Sequence, residues 1–388
     1  MNLMQTIAAA LTPQGILWTM LLLSTIVALH ELGHYALARW QGVKVDAFSV
    51  GMGPVLARRQ WRGTEWRLSA LPLGGYVLID GMAPDERPGP GGEPEYVTPQ
   101  HGFAALPALG RIAVLLAGPL VNLLLAAGLM TAMFSLLGAA ANDRIRIEAV
   151  LPGKPAAALG LQVGDEIVAL DGQPIPQTFT RDGREVPGFM QLGQVLEQPG
   201  PHTLTVRTAA GVQREVAFDW QPTLNGEKQL LGVRYGPGQQ RLSVPAAVAR
   251  SVDITVGAVP LVVQGFANTV GKMLTLDVSH PAKTGAAAGQ EEDGVGGPIF
   301  ITQTVSEAAA VSGWALVQIA ILLNLSLGVF NLLPIPGLDG GRIALVLLEM
   351  LRGRPLTFAQ EQRLTLLGFA FVMMLSGFVL LRDVTRFF

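Results

Sequence analysis

The chain has 388 residues, of which 50% are hydrophobic, 14% are charged and 46 are glycine. Soluble proteins carry about 25% charged residues, so this composition argues against a soluble globule or a disordered chain and indicates an integral membrane protein. The net charge of −2 offers no basic surface for nucleic acid. The absence of cysteine excludes disulfides, thiolate metal sites and a cysteine nucleophile.

Four segments are apolar enough to cross a bilayer. Residues 1–29, 112–142, 308–338 and 364–381 contain no Asp, Glu, Lys or Arg, and each can supply the roughly 18–20 residues that a spanning helix needs. The first segment has no basic start, so we predict a retained helix rather than a signal peptide. A fifth segment, 254–271, holds Pro260, Gln264 and Asn268, and we predict that it lies along the membrane interface.

The first span ends in the sequence His30-Glu31-Leu32-Gly33-His34. Histidines at i and i+4 share one helix face, about 6 Å apart along the axis, so both imidazoles can bind one Zn²⁺. The glutamate between them can take a proton from water and pass it to a leaving amine. The alternative is a set of polar residues at a wet helix end, but ionisable side chains inside a span are costly and mark functional sites.

A third ligand is needed, because catalytic zinc has three protein ligands as a rule. His101, His202 and His280 fall in predicted loops or in the outer domain. Residues 331–341 read NLLPIPGLDGG, in which the prolines end a helix and Asp339 follows as a lone carboxylate flanked by glycines. We predict Asp339 as the third ligand; a helix cap outside the membrane is the alternative.

The loop after the first span contains six basic residues, which predicts a cytoplasmic loop and an outside N-terminus: Arg39, Lys44, Arg58, Arg59, Arg62 and Arg67. The predicted organisation is a first transmembrane helix (1–40), a β insert with a Pro/Gly-rich linker (41–103), a second transmembrane helix (104–142), an outer α+β domain (143–240), an interfacial segment with a flexible loop (241–307), a third transmembrane helix (308–345), and a cytoplasmic loop with the fourth transmembrane helix (346–388).

The two motifs together resemble the site-2 protease family of intramembrane zinc metalloproteases. Residues 51–54 (GMGP), 71–77 (LPLGGYV) and 117–122 (AGPLVN) extend the resemblance to its bacterial branch, typified by the regulator of sigma-E protease. The resemblance implies that one zinc ion is bound by His30, His34 and Asp339 and that Glu31 is the general base. It also implies that Asn331 contacts the substrate backbone or the polarised carbonyl.

Three further features carry predictions of their own. Gly74 and Gly75 lie in a strand-like stretch that can hold an opened substrate by strand addition; a hairpin that plugs the cytoplasmic side is the alternative. Asn122 is an amide inside an apolar span, so we predict a supporting or packing contact rather than direct catalysis. Motifs within residues 147–172 resemble a PDZ domain in its circularly permuted bacterial order. Leu231 and Gly232, later in the same domain, are then candidates for the loop that holds a peptide terminus.

The predicted fold is an α-helical membrane protein with four transmembrane helices, a membrane-associated β-hairpin or re-entrant insert, and one extracytoplasmic PDZ-like α+β domain. The outer region has room for one PDZ domain, whereas the best-known enterobacterial type of this branch has two, which leaves substrate gating open. The predicted activity is zinc-dependent cleavage of single-span membrane proteins, such as anti-sigma factors or remnant signal peptides, after a first cut by another protease.

The predicted location is the bacterial cytoplasmic (inner) membrane, with the active site near the cytoplasmic side. The PDZ-like domain would filter substrates by size or merely cover the site. A non-catalytic membrane scaffold or chaperone that binds transmembrane segments is the main alternative. A metal transporter is a weaker one, because the spans lack the repeated polar positions of a conduction path.

Overall fold

The computed structural model describes residues 12–88, 94–97, 99–224, 227–278, 296–354 and 356–385. The chain forms two compact units: Met1–Met130 together with Arg250–Phe388, and Thr131–Ala249. His280, most of the loop predicted near 275–297 and part of the predicted Pro/Gly-rich linker lie outside the described residues.

The helices of the described residues are, in chain order, α1 (Pro13–Trp40), α2 (Gly102–Ala105), α3 (Ala108–Leu136), α4 (Pro155–Ala158), α5 (Gln191–Val195), α6 (Val244–Thr275), α7 (Pro298–Val311), α8 (Gly313–Leu332), α9 (Asp339–Arg352) and α10 (Phe358–Thr385). Five of these are long and apolar enough to cross a membrane: α1, α3, α6, α8 and α10. The additional one is α6, which contains the segment predicted as interfacial.

The start and the packing of α1 follow from its sequence. Its first turn is capped by the Thr12 hydroxyl, which accepts a hydrogen bond from the Gly15 amide (3.0 Å), and Pro13 occupies a position where its missing N–H costs nothing. Near its other end, a Cβ built on Gly33 would lie 2.5 Å from the Ala117 carbonyl oxygen of α3. The absence of a side chain at Gly33 therefore lets these two helices approach backbone to backbone.

The stretch predicted as a third transmembrane helix, 308–345, is divided in the structure. α7 ends at Val311, and the Ser312 hydroxyl caps α8 by accepting from the Ala315 amide (3.1 Å). α8 ends at Leu332, two residues before Pro334, because proline lacks the amide that a helix needs and disfavours helical backbone in the residue before it. The chain then turns through Gly337 (φ +100°) and restarts as α9 at Asp339.

The predicted β insert is a hairpin of two long strands, β1 (Val45–Trp61) and β2 (Thr64–Ile79). Its turn at Arg62 and Gly63 uses left-handed backbone, with φ of +50° and +81°. Residues 45–50 of β1 are paired on both sides: with residues 75–79 in antiparallel register, and with residues 65–68. Within the described residues, the stretch 75–79 has β1 as its only strand partner, so it forms one edge of this sheet.

Two shorter strands, β3 (Asp85–Pro88) and β4 (Pro94–Val97), pair within the segment predicted as a linker. The second unit contains the strands β5 (Ala139–Val150), β6 (Glu166–Leu170), β7 (Gln173–Pro174), β8 (Thr178–Arg181), β9 (Arg184–Pro187), β10 (Gly200–Arg207), β11 (Gln213–Trp220), β12 (Thr223–Leu224), β13 (Glu227–Lys228) and β14 (Val233–Gln240).

The main sheet of the second unit has the strand order β11-β10-β6-β5-β14, with β7 beside β6. Alternate residues of β10 are buried, as expected for a strand with one face on a core. The core combines the sheet with the short helices, and its fully buried members include Ile145, Ile167, Leu192 and Leu204. The sheet and short helices are the α+β architecture that the sequence predicts for residues 143–240.

His202 connects β10 to the turn that follows β6. Its Nδ1 lies 2.9 Å from the Asp171 carboxylate and its Nε2 lies 3.1 Å from the Gln198 carbonyl oxygen. Burial lowers the pKa of His202, but these two acceptors outweigh it and hold the pKa above its ordinary value. Burial acts to raise the pKa of Asp171, but hydrogen bonds from the Thr203 amide and from His202 leave it below its ordinary value.

We therefore expect a pH optimum in the stability of the second unit. The His202 contribution is complete below about pH 6.5 and is lost as pH rises through the raised pKa, and the Asp171 contribution is lost as pH falls below about 4. Hydrogen exchange of the β10 amides in the full chain should accelerate severalfold between pH 6 and pH 8, after correction for intrinsic exchange. A His202→Gln variant should lose that dependence and His101→Gln should keep it; an unchanged dependence in His202→Gln would contradict this prediction.

Candidate metal centre

Three side-chain atoms from distant parts of the chain converge on one point. His30 Nε2 and His34 Nε2 lie 3.2 Å apart, and the Asp339 Oδ2 atom lies 3.2 Å from the first and 3.3 Å from the second. Both histidines are buried, and the Asp339 side chain is 17% exposed. These three residues are the one group of His, Asp and Glu side chains in the described residues with the spacing of a metal site.

The size of this triangle fits zinc. Nitrogen and oxygen ligands at about 2.0–2.1 Å from a tetrahedral zinc ion are about 3.3–3.4 Å from one another. The three observed separations are within 0.2 Å of that value. The Asp339 Oδ2 atom is buried and makes no hydrogen bond among the described residues, although a buried carboxylate oxygen requires a partner. The residues present therefore fit a zinc ion, held by two imidazoles and one carboxylate.

The orientation of His34 is fixed by the backbone of α3. Its Nδ1 lies 2.8 Å from the Val114 carbonyl oxygen, which can only accept, so Nδ1 carries a proton. In the neutral imidazole, Nε2 then presents its lone pair on the side of the Asp339 oxygen, 3.3 Å away. This neutral tautomer is the one that binds a metal ion through Nε2.

Asn122 stands against the other histidine, as a supporting contact. Its side-chain amide is 3.3 Å from His30 Nδ1, and its Oδ1 is buried without a hydrogen bond. A rotation of the side-chain amide by 180° exchanges its oxygen and nitrogen without moving any other group. With Oδ1 turned toward Nδ1, the ring donates to Asn122 and His30 Nε2 keeps its lone pair for a metal.

Gly118 of α3 provides the space that the two imidazoles occupy. A Cβ built on Gly118 would overlap the ring of His34 and lie 2.8 Å from Cε1 of His30. The AGPLVN stretch (117–122) carries part of the family resemblance, but its sequence predicts no function for Gly118. Neither Gly118 nor the Val114 carbonyl is recognisable from local pattern, because both act on residues at least 80 positions away.

Asp339 is brought to the histidines by a compact turn and a separately anchored helix. A Cβ on Gly340 or Gly341 would overlap the backbone of residues 332–335, and one on Gly368 of α10 would overlap the Pro336 carbonyl. These contacts explain why the two residues after Asp339 are glycines. α9 is held further by an ion pair between Arg111 Nη1 of α3 and Glu349 Oε2 (2.9 Å).

Glu31 occupies the side of the site that faces the β insert. The backbone amide of Val77 points at its carboxylate. A Cβ built on Gly75 would lie 3.9 Å from Glu31 Cγ and only 2.6 Å from the Ser49 carbonyl oxygen, so a side chain there would disturb the sheet beside the glutamate. Gly74, with φ +90°, lies next to Met52 and Val27. The two predicted glycines are therefore close to the predicted base.

The remaining predicted residues make no hydrogen bond or ion pair with the triangle within the described residues. Asn331 is in the last turn of α8, where its Nδ2 donates to the Leu327 carbonyl (3.1 Å). Leu231 and Gly232 belong to the second unit. His101 is half exposed between the Asp80 and Asp85 carboxylates, and His202 is paired within the second unit, so neither is a ligand of the triangle.

Comparison with known proteins now decides the family. The pattern described as "Peptidase family M50" matches residues 18–375. The chain belongs to peptidase family M50, the site-2 protease family. A protein of Brucella suis is 31% identical over 371 residues, covering 93% of this chain and 92% of its own. One of Rhizobium meliloti is 32% identical over 380 residues, covering 95% of each. Both bear the name "putative zinc metalloprotease".

Family and geometry together establish three of the predictions. The chain is a zinc metalloprotease of the M50 family, and its cofactor is zinc. In the described residues, the triangle of His30, His34 and Asp339 is a group able to bind a metal. The five long apolar helices and the family make it a multi-pass membrane protein. The family therefore favours a protease over the scaffold and transporter alternatives.

The close packing at Gly118 leads to a direct prediction. Gly118→Ala adds a methyl group where the imidazoles lie, so we expect zinc to dissociate about 10–100-fold faster, the range typical of disturbed supporting contacts. The control is Gly128→Ala in the same helix, where nothing lies within 4 Å of the added carbon. Zinc transfer from the purified full chain to a chromogenic chelator measures the rate. Equal rates for the two variants would contradict the packing argument.

Proposed function

We propose that this metalloprotease cleaves single-span membrane proteins within the bilayer, in regulated intramembrane proteolysis. The observation that carries the proposal is the position of the metal group on a membrane helix. His30 lies about 26 Å along α1 from Pro13, at 1.5 Å per residue, which is within a bilayer about 30 Å thick and toward the end of the span. A site at that depth favours peptide bonds that are themselves in the membrane.

The residues around the triangle divide the chemistry between them. Zinc held by His30, His34 and Asp339 supplies a Lewis acid that makes water nucleophilic at neutral pH. Glu31 accepts the proton of the attacking water on a carboxylate oxygen and delivers it to the nitrogen of the leaving amine. Asn331, one turn before the proline break, is assigned to the substrate carbonyl or backbone. Asn122 and the Val114 carbonyl hold the imidazoles in orientation.

Substrate presentation is assigned to the edge of the β insert. A helical substrate must unwind before its peptide bonds are accessible. The unwound, extended segment then needs hydrogen-bond partners for its backbone. Residues 75–79 form a sheet edge beside Glu31, so a substrate strand added there would pass close to the base. In the alternative, the hairpin only closes the cytoplasmic side. The proximity of Gly75 to Glu31 supports strand addition.

A chain topology with four crossings is supported by the directions of α1 and α8. His30 and His34 near the end of α1 meet Asp339 beyond the end of α8, so α1 and α8 run in the same direction. The chain between them therefore crosses the membrane an odd number of times, and α3 supplies one crossing. A crossing by α6 as well would make α8 start from the wrong face.

Phe266 in the second half of α6 packs against Phe330 of α8 and Phe371 of α10. We infer that α6 packs against these helices without crossing the membrane, and that the N-terminus and the second unit are extracytoplasmic. The positive loop after α1 then faces the cytoplasm of a bacterial inner membrane.

The position of Thr275 tests this topology. The chain has no cysteine, so Thr275→Cys gives a single labelling site. We expect a membrane-impermeant maleimide to label Thr275→Cys in intact spheroplasts, and to label Arg354→Cys only after permeabilisation. Labelling of Thr275→Cys only after permeabilisation would show that α6 crosses.

We assign the second unit to a PDZ-like filter for substrates already shortened by another protease. In support, β14 is an edge strand that follows a left-handed turn at Gly232 (φ +84°). The Leu231 and Gly232 carbonyls accept from the Ala156 and Leu151 amides (2.9 and 2.7 Å), while their own amides donate to no group in the described residues. Free amides before an edge strand suit a peptide terminus. Cover of the membrane site is the alternative.

Replacement of Glu31 tests the proposed activity. The purified chain should cut a tagged single-span substrate in nanodiscs, and Glu31→Gln should keep its zinc but cut about 10²–10⁴-fold more slowly, the usual contribution of a general base. Glu307→Gln, an exposed glutamate on α7, is the control and should cut normally. If Glu31→Gln keeps both zinc and full activity, the assigned base is wrong. If only soluble peptides are cut, the intramembrane substrate class is wrong.

A further inference from the structure

The β1–β2 hairpin has a surface that the proteolytic site does not use. Residues 52–61 are exposed at every position, whereas a strand on a protein surface in water normally buries alternate residues. Several large apolar side chains are about half exposed or more, and they lie on both strands: Leu56 (68%), Leu71 (52%), Leu68 (51%) and Trp61 (51%). Such a surface requires an apolar partner.

The turn of the same hairpin carries unpaired positive charge. Arg58, Arg59 and Arg62 have no carboxylate partner among the described residues, and the nearby Glu65 is already paired with Arg67 (2.6 Å). The guanidinium of Arg62 lies over the ring of Trp61, 5.0 Å from its centre. Three cations and an exposed indole therefore share one end of the hairpin.

The contacts with α1 show how the hairpin is oriented. Arg39, in the last turn of α1, donates from Nη2 to the Arg62 carbonyl (3.1 Å). At the opposite end, Gly74 and Met52 lie beside Val27, within the span. The hairpin thus follows α1 over about 18 Å, the rise of twelve helical residues. Its arginines are at the helix end, and its exposed Met52 and Leu71 are at membrane depth.

The change along the hairpin from apolar side chains to tryptophan and then to arginine matches one leaflet of a bilayer. Apolar side chains face acyl chains, tryptophan belongs at the interface, and arginine meets the headgroups. The leaflet on the cytoplasmic side is rich in anionic lipid. Each basic residue near it adds a similar increment of electrostatic attraction to the lipid headgroups. We propose that Arg58, Arg59 and Arg62 form a binding site for the phosphate groups of anionic phospholipids, which seats the hairpin and its substrate-facing edge in the membrane.

A label at the turn tests the site directly. Because the chain has no cysteine, Gln60→Cys introduces a single thiol. This thiol can carry a fluorophore in the full-length protein in nanodiscs. Quenching is then compared between phosphatidylglycerol and phosphatidylcholine that bear the same headgroup quencher at the same fraction. We expect the anionic quencher to be about threefold more effective at low salt, and the ratio to approach one in the Arg58→Gln/Arg59→Gln/Arg62→Gln variant.

Two controls keep the result interpretable. Arg352→Gln/Arg354→Gln/Arg363→Gln removes the same charge at the end of α9 and the start of α10 and should keep the threefold preference. Quenching by the phosphatidylcholine probe should be the same in all variants, which shows that the hairpin has not moved. An equal effect of the two lipids on the native chain would overturn the proposal, as would an equal loss in the control variant. Absence of quenching by both lipids would show that the turn faces water or a protein partner.

Discussion

The folded structure around the catalytic centre depends on one electrostatic constraint: two imidazoles and a carboxylate must meet in a region of low dielectric. An isolated carboxylate is costly in such a place, and its cost is offset only by a cation or by hydrogen bonds. Within the described part of the chain, nothing donates a hydrogen bond to the Oδ2 atom of Asp339. A zinc ion bound by these three residues would therefore also offset the cost of bringing their polar atoms together.

Much of the surrounding architecture follows from that constraint. The three ligands come from α1 and α9. Pro334 and Pro336 separate α9 from the apolar helix α8. α3 packs closely against α1 because Gly33 and Gly118 carry no side chain that would keep these two helices apart. The Arg111–Glu349 ion pair and the packing of Ile343 and Val346 against the cluster of Val114 and Leu115 hold α9 to α3. The packing of α9 against α3 thus holds Asp339 near the two histidines before any metal binds.

Local periodicity explains what could be predicted from the sequence. The spacing of His30 and His34 places them on one helix face whatever the rest of the fold, and Pro334 and Pro336 end α8 for reasons of backbone chemistry alone. The contacts of Gly118, Gly368 and the Val114 carbonyl depend on segments far away in the sequence, which no local pattern records. α7 was missed because its apolar residues adjoin a glycine-rich stretch, and the short strands β3 and β4 because their prolines are typical of linkers.

The coordination of zinc in the purified full-length chain is the measurement that bears most directly on the metal centre. X-ray absorption at the zinc edge should show one zinc per chain with two imidazoles and oxygen ligands at about 2.0–2.1 Å. His34→Ala should lose one imidazole from that spectrum or lose the zinc. A native chain without stoichiometric zinc, or a zinc spectrum that His34→Ala leaves unchanged, would show that the metal is bound elsewhere and that the triangle of His30, His34 and Asp339 is not the catalytic centre.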